Sequence, residues 1–256
     1  MRRRSALEGA FAIRLILPWI GTLWQPVDEG TRPDEYGRLP LPRPLKVCAW
    51  LMLEIFAGTA RVTSAVNKVG IRCEAWDVIF GVKCGLLIGK NARRLLSLVR
   101  SGHVRAAWLG IPCISFSKAR KFDGRGPPPL RDFVDITQPG PWLTREKDRL
   151  SVSQANQLVD LSADVCLSVT AVGGIFVVEN PESSSIWLYP SLAHMLLVTR
   201  ASFVTTHYCQ WLSEEEFEFD LPWLKPTVLA GTLPGLQSCL LYTSDAADDS
   251  LRVDLG

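Results

Sequence analysis

Apolar positions in this chain fall into short continuous runs separated by amphipathic stretches. Val47 to Phe56 (VCAWLMLEIF) is almost unbroken, which predicts a strand buried on both faces of a parallel sheet. Ala57-Gly58-Thr59 turns the chain, and Ala60 to Val69 has helical composition with Gly70 placed to stop it. Ile71 to Trp76 predicts a second strand ending at Asp77. Asn91 to Arg100 predicts a helix closed by Gly102, and Val104 to Leu109 a third strand. Leu158, Leu161, Val165 and Val169 recur at spacings of three and four, which predicts a helix over 153–172 ended by Gly173-Gly174. Ile175 to Val178 reads as a short strand running into Glu179-Asn180-Pro181. A helix around Leu192 to Val198 and a strand around Ser202 to Tyr208 follow.

Strands alternating with helices predict the α/β class, with a doubly wound, mostly parallel sheet. Ligands of such sheets sit at the carboxyl ends of the strands. Gly58, Asp77, Cys113 and Glu179 all fall at such ends. The stretch from Ser115 to Leu150 is long, basic and rich in Pro and Gly, and reads as a structureless loop; a loop of this length inside a compact domain is uncommon and often functional.

Composition bounds the reading. A chain of 256 residues, 47% hydrophobic and with a net charge of +2, is long enough for one sizeable core and is not disordered. The small net charge hides an asymmetry. Lys90 to Arg149 holds thirteen Lys or Arg against five Asp or Glu, whereas Glu179 to the end holds eleven acids against three bases. The basic stretch suits a polyanion such as nucleic acid; a solvated loop surface is the alternative. Seven cysteines (Cys48, Cys73, Cys84, Cys113, Cys166, Cys209 and Cys239) include no CxxC pair and no His partners at metal spacing. Neither a disulfide framework nor a metal site is expected, and a reducing, intracellular compartment is. Near the start, Glu8, Arg14 and Pro18 interrupt the apolar residues, so no run approaches the roughly 20 residues of a membrane helix, and no membrane partner is expected. Residues 1–44 read as an extension and linker, and 45–238 as the folded domain.

Three groups of residues have chemical potential. In Glu54-Ile55-Phe56-Ala57-Gly58-Thr59-Ala60, small residues after a strand let backbone amides approach a ligand, and Asp77 follows at the distance suited to ribose hydroxyls. The turn lacks GxGxxG, which disfavours a nicotinamide dinucleotide and favours a ligand without phosphates. In Ile111-Pro112-Cys113-Ile114-Ser115-Phe116-Ser117, Pro112 fixes the backbone before a cysteine followed by Lys118, Arg120 and Lys121. Positive surroundings favour the nucleophilic thiolate, although a cysteine read in isolation is more often a small buried hydrophobe. In Glu179-Asn180-Pro181 a carboxyl at a strand end could act as an acid toward a ring nitrogen, or simply cap or pair at the surface.

The order Phe-Ala-Gly, Asp, Pro-Cys-x-x-Phe-Ser, Glu-Asn over roughly residues 50 to 230 resembles the motif series of C5-cytosine DNA methyltransferases. Tyr208-Cys209-Gln210-Trp211 and Trp223-Leu224-Lys225-Pro226-Thr227 resemble a segment of divergent relatives. The resemblance implies a Rossmann-like methyltransferase fold with S-adenosylmethionine bound by Phe56, Ala57, Gly58, Thr59, Asp77 and Pro112, Asp77 on the ribose. It implies Cys113 as the nucleophile toward C6 of a flipped cytosine and Glu179 at the ring N3. It implies that Ser117, Lys118, Arg120 and Lys121 hold the phosphates of DNA. A DNA substrate would carry with it a nuclear location.

The chain departs from the family pattern at Ala60-Arg61, at Pro181, and at Thr205, Thr206 and His207, where a Gln-x-Arg-x-Arg motif is expected. Cys239 to Asp248 (CLLYTSDAAD) looks like an in-frame translation of a sequencing adapter. Residues 239–256 are therefore expected to be non-native and the sheet incomplete at its C-terminus. Three alternatives stand beside DNA methylation: a degenerate domain that binds nucleic acid or S-adenosylmethionine without turnover, methylation of an RNA cytosine, and, less favoured, an unrelated oxidoreductase.

Overall fold

The structure, a computed structural model, describes residues 51–123, 126–207 and 226–237. β1 (Leu51–Ile55) is buried along its whole length, as a strand covered on both faces must be. It pairs in parallel with β2 (Cys73–Trp76) on one side and β3 (Val104–Leu109) on the other. β4 (Ile175–Pro181) continues the parallel set beyond β3. β5 (Ser202–His207) and β6 (Pro226–Gly231) complete the sheet, β6 lying antiparallel between β4 and β5. The order is β2-β1-β3-β4-β6-β5. This is an α/β architecture with a mostly parallel, mixed six-stranded sheet, compatible with a Rossmann-like fold.

Helices cover both faces. α2 (Gly89–Arg100), α3 (Glu146–Ala171) and α4 (Pro190–Val198) pack Leu95, Val99, Val159, Val165, Leu192 and Met195 against Leu53, Ile55, Leu109, Phe176 and Val178. α1 (Arg61–Lys68) packs Val62 and Val66 on the opposite face, over Met52, Trp108 and Val177, together with Leu229, Leu233 and Leu236. Burial on both faces explains why the strands read as continuous apolar runs.

The structure redraws several predicted boundaries. α3 starts at Glu146, well before Ser153, because extended Arg145 precedes it and Glu146 and Asp148 suit the positive end of a helix. β4 runs on to Pro181 because β6 pairs with it as far as Pro181 and Thr227. β6 itself was not among the expected elements. The loop between β3 and α3 is not featureless: a 3-10 turn spans Ile114–Phe116 and a β-bridge joins Arg131 to Pro139. Residues 1–50, the segment around Tyr208 to Lys225 and the tail from 238 lie outside the described residues, and with them the expected extension, non-native tail and C-terminal incompleteness. Among the described residues no helix is long and apolar enough to cross a membrane, and no three His, Cys, Asp or Glu side chains group to hold a metal.

Candidate active site

The chain leaves β1 for β2 on one side, then returns through α2 to β3 on the other side of β1. The carboxyl ends of β1 and β3 therefore flank a topological switch point, where open α/β sheets leave a crevice for ligands. The two ends are joined there, the Gly110 N–H donating to the Ile55 carbonyl at 3.1 Å.

After β1 the backbone is folded back sharply. Phe56, Gly58 and Ala60 all adopt left-handed conformations, with φ of 58°, 51° and 53°. For Phe56 and Ala60 this costs about 1–3 kcal/mol each, which the surroundings must offset. They do so in two ways. The Phe56 N–H donates to the Trp76 carbonyl at 2.8 Å. Asp77 then bridges the β1 and β2 turns: Oδ2 accepts the Gly58 N–H at 3.0 Å and Oδ1 the Ile79 N–H at 3.1 Å. Gly58 and Thr59 are exposed, Ala57 is buried beneath them, and the space where a Gly58 side chain would stand is open. Asp77, which the sequence singles out, is thus a tie holding the turn in shape.

Glu54 is the buried acid of this region. It is 5% exposed, and its carboxylate reaches from β1 to the start of α1, accepting the Thr63 N–H at 2.6 Å and the Val62 N–H at 3.4 Å. Since α1 has no side-chain cap at Ala60, Glu54 takes the place of one. Burial pushes its pKa up; the Thr63 and Val62 hydrogen bonds oppose this, and the charge of Glu179 adds to it.

After β3, the loop carrying Cys113 is fastened on both sides. Ahead of it, Asn180 at the end of β4 donates from Nδ2 to the Ile111 carbonyl at 2.7 Å. Behind it, Phe116 is inserted into the core at 1% exposure, and Ser185 Oγ donates to its carbonyl at 3.1 Å. Between these ties Cys113 is half-buried, with exposed Pro112 and Ile114 on either side. Glu179 is half-buried on β4 next to Asn180. Asn180 is 2% exposed and its Oδ1 has no partner, which leaves one buried acceptor available to a donor from a bound molecule.

Arg131 completes the support. Its guanidinium lies 3.5 Å from the centre of the Phe116 ring and 5.9 Å from that of Tyr189. It donates to Ser115 Oγ at 2.9 Å, to Asn156 Oδ1 at 2.7 Å and to the Ile136 carbonyl. All these partners are neutral, and Arg131 is only 4% exposed, so burial lowers its pKa to about 10, Tyr189 opposing.

Of the residues singled out from sequence, Phe56, Ala57, Gly58, Thr59, Asp77, Pro112 and Cys113 fall on the turns that follow β1, β2 and β3 at one edge of the sheet, and Glu179 lies within the last three residues of β4 at the same edge. Ser117, Lys118, Arg120 and Lys121 follow on the outgoing loop. Lys118 and Lys121 are exposed, Arg120 is half-buried, and Ser117 Oγ accepts the Ala119 N–H. Sequence reasoning missed Arg131 and the buried role of Glu54. Arg131 looks like one more cation in a basic run, and only the fold shows that its partners come from 115, 116 and 156. A separate recess of about 340 Å³, lined by residues such as Arg200, Thr232 and Leu236, opens at the opposite edge of the sheet and takes no part in this site. Comparison of the chain with protein-family models, curated proteins and solved structures returns no match.

Proposed function

We propose that this protein transfers a methyl group from S-adenosylmethionine to C5 of cytosine in DNA, using Cys113 as a transient nucleophile. One observation carries the reading: the strained β1 turn, the doubly fastened Cys113 loop and the Glu179 strand end converge at the switch point of the sheet. Glu179 and Cys113 would be the acid and the nucleophile of a single site. A methyltransferase version of the Rossmann-like fold belongs to the proposal. The reversed β6 and the turn without GxGxxG both set the sheet apart from the all-parallel, pyrophosphate-binding kind.

The residues at the β1 turn fit S-adenosylmethionine. Open space above Gly58, the Asp77 carboxylate beside it and the exposed apolar Val78, Ile79 and Phe80 suit a cationic ligand with a ribose and a purine but no phosphate. When bound, that ligand supplies an electrophilic methyl group. Cys113 Sγ bonds to C6 of the cytosine while Glu179 stabilises the ring at N3, and C5 becomes nucleophilic as an enamine carbon. After C5 takes the methyl group, loss of the C5 proton breaks the Sγ–C6 bond and releases the thiolate. The rigid loop serves this sequence by holding Cys113 in one position with little entropy left to lose.

Transfer of tritiated methyl groups from S-adenosylmethionine to cytosine-containing DNA tests the proposal. Cys113→Ala should reduce transfer to background, and Glu179→Gln should lower it about a hundredfold. Undiminished transfer by Cys113→Ala would reject the mechanism. The absence of arginine from Ser202–His207, where Thr205 instead donates to Glu182, favours a second reading in which the domain binds its ligands without turnover. An RNA cytosine is the alternative substrate, and the same assay on RNA separates the two.

A further inference from the structure

Three aromatic side chains stand together on the loop that leaves Cys113. Phe122 meets Trp142 edge-on, with ring centroids 4.8 Å apart, and meets Phe133 at 5.9 Å. Phe133 and Trp142 lie 5.1 Å apart, their planes inclined by only 33°. The cluster is held from below. Trp142 Nε1 donates to the Pro129 carbonyl at 2.7 Å, and the ring packs on the buried Leu130, Leu143 and Val152. The upper rings are open: Phe122 is 58% exposed and Phe133 67%. Exposed rings gathered into one patch, rather than scattered singly, mark an interaction surface, and here they sit above the small buried cluster of Leu130, Leu143 and Val152.

The charge next to this cluster says what the rings face. Lys118, Arg120 and Lys121 lie between Cys113 and Phe122, and Lys121 directly precedes the first ring. Of the acids nearby, Asp132 accepts the Val134 N–H and Asp135 the Thr137 N–H within the turns of the loop itself, while Asp123 directly follows Phe122 and leaves the stretch 118–123 with three cations against one acid. Cations leading directly into open aromatic rings match a polyanion whose bases are unstacked. Phe122 is nine residues from Cys113, which limits their separation to about 30 Å of extended chain.

We propose that Phe122 and Phe133, backed by Trp142, form a stacking platform for the bases of a single-stranded nucleic acid, whose phosphates lie along Lys118, Arg120 and Lys121. The inference rests on the nucleic-acid reading of the site and deepens it. It assigns the preferred substrate as an unpaired strand, or a duplex opened around the target, and it gives the loop a function that a closed duplex would not use.

The test is fluorescence anisotropy of the full-length protein with labelled deoxyribo- and ribo-oligonucleotides, single-stranded and duplex, across a salt series. Single strands should bind more tightly than duplexes. Phe122→Ala and Phe133→Ala should each weaken single-strand binding about tenfold, with the salt slope unchanged. Phe133→Trp should retain binding, and an abasic strand should lose the same factor on the wild type. Lys121→Ala should instead flatten the salt slope. Equal binding of the alanine variants and wild type to the base-containing strand would overturn the platform, as would a tenfold loss caused by the alanine substitutions when the strand is already abasic, or a change in oligomeric state in place of a change in binding. Failure here is distinguishable from failure of the methyl-transfer reading. Methyl transfer that persists in both alanine variants, with single-strand binding unchanged, would remove the platform and leave the enzyme. Ring-dependent binding without any transfer would do the reverse.

Discussion

Cysteines in the described residues occupy two environments, and the difference bears directly on which of them reacts. Burial pushes the Cys73 thiol up to about 12 and raises that of fully buried Cys166, so both stay protonated and sheltered. Cys84 and Cys113 are half-buried. Under native conditions at mild alkaline pH, iodoacetamide followed by peptide mass mapping should modify Cys113 and Cys84 well before Cys73 and Cys166. Earlier modification of Cys73 would show that the α1 face of the sheet opens readily. Glu54 makes a second residue-scale prediction. Its pKa is raised in the folded chain, so between the ordinary value of 4.5 and that higher value the native state holds more protons than the unfolded one. Stability therefore falls as pH rises through this window. Glu54→Gln, which cannot ionise, should flatten this part of the pH dependence in urea unfolding. An unchanged slope would mean that Glu54 is not the group responsible.

Among the elements, the Cys113 loop and the reversed strand matter most. Arg131→Ala would leave Ser115, Asn156 and the Ile136 carbonyl without their donor and uncover the face of Phe116, a loss of about 2–4 kcal/mol. Arg131→Met, which keeps the stacking and bulk but removes the charge, should recover part of that loss in thermal unfolding; no difference between the two variants would assign the effect to the polar partners. Gly231 marks where β6 presses against β4. A side chain there would run into the Phe176 carbonyl, so Gly231→Ala should destabilise the fold by about 1–3 kcal/mol. The alternating elements up to β5 were legible because strands buried on both faces leave continuous apolar runs and α3 leaves a clean three-and-four spacing. β6 was not. It pairs with β4 and β5 across long sequence separations, and an apolar run does not say whether its strand lies parallel or antiparallel. The site was legible in part for the same reason. Cys113, Asp77 and Glu179 stand out at strand ends, whereas Arg131 and Asn180 are known only through the partners that the fold brings to them.

For the molecule as a whole, the decisive feature is that one edge of the sheet gathers the strained turn, the fastened cysteine loop and the basic, aromatic arm leading away from it. The rest of the fold supports that edge, with α2, α3 and α4 packed beneath one face and α1 across the other. The proposed mechanism requires Cys113 to react with cytosine at C6 before any methyl group moves. Trapping on an oligonucleotide that contains 5-fluorocytosine, with S-adenosylmethionine present, tests this most directly, because fluorine at C5 blocks the elimination that would free the enzyme. The expected result is a covalent protein–DNA complex that survives denaturation, forms with wild type and is absent from Cys113→Ala. Folded protein that binds S-adenosylmethionine and DNA yet forms no such complex would contradict the methyl-transfer mechanism and leave a binding domain in its place.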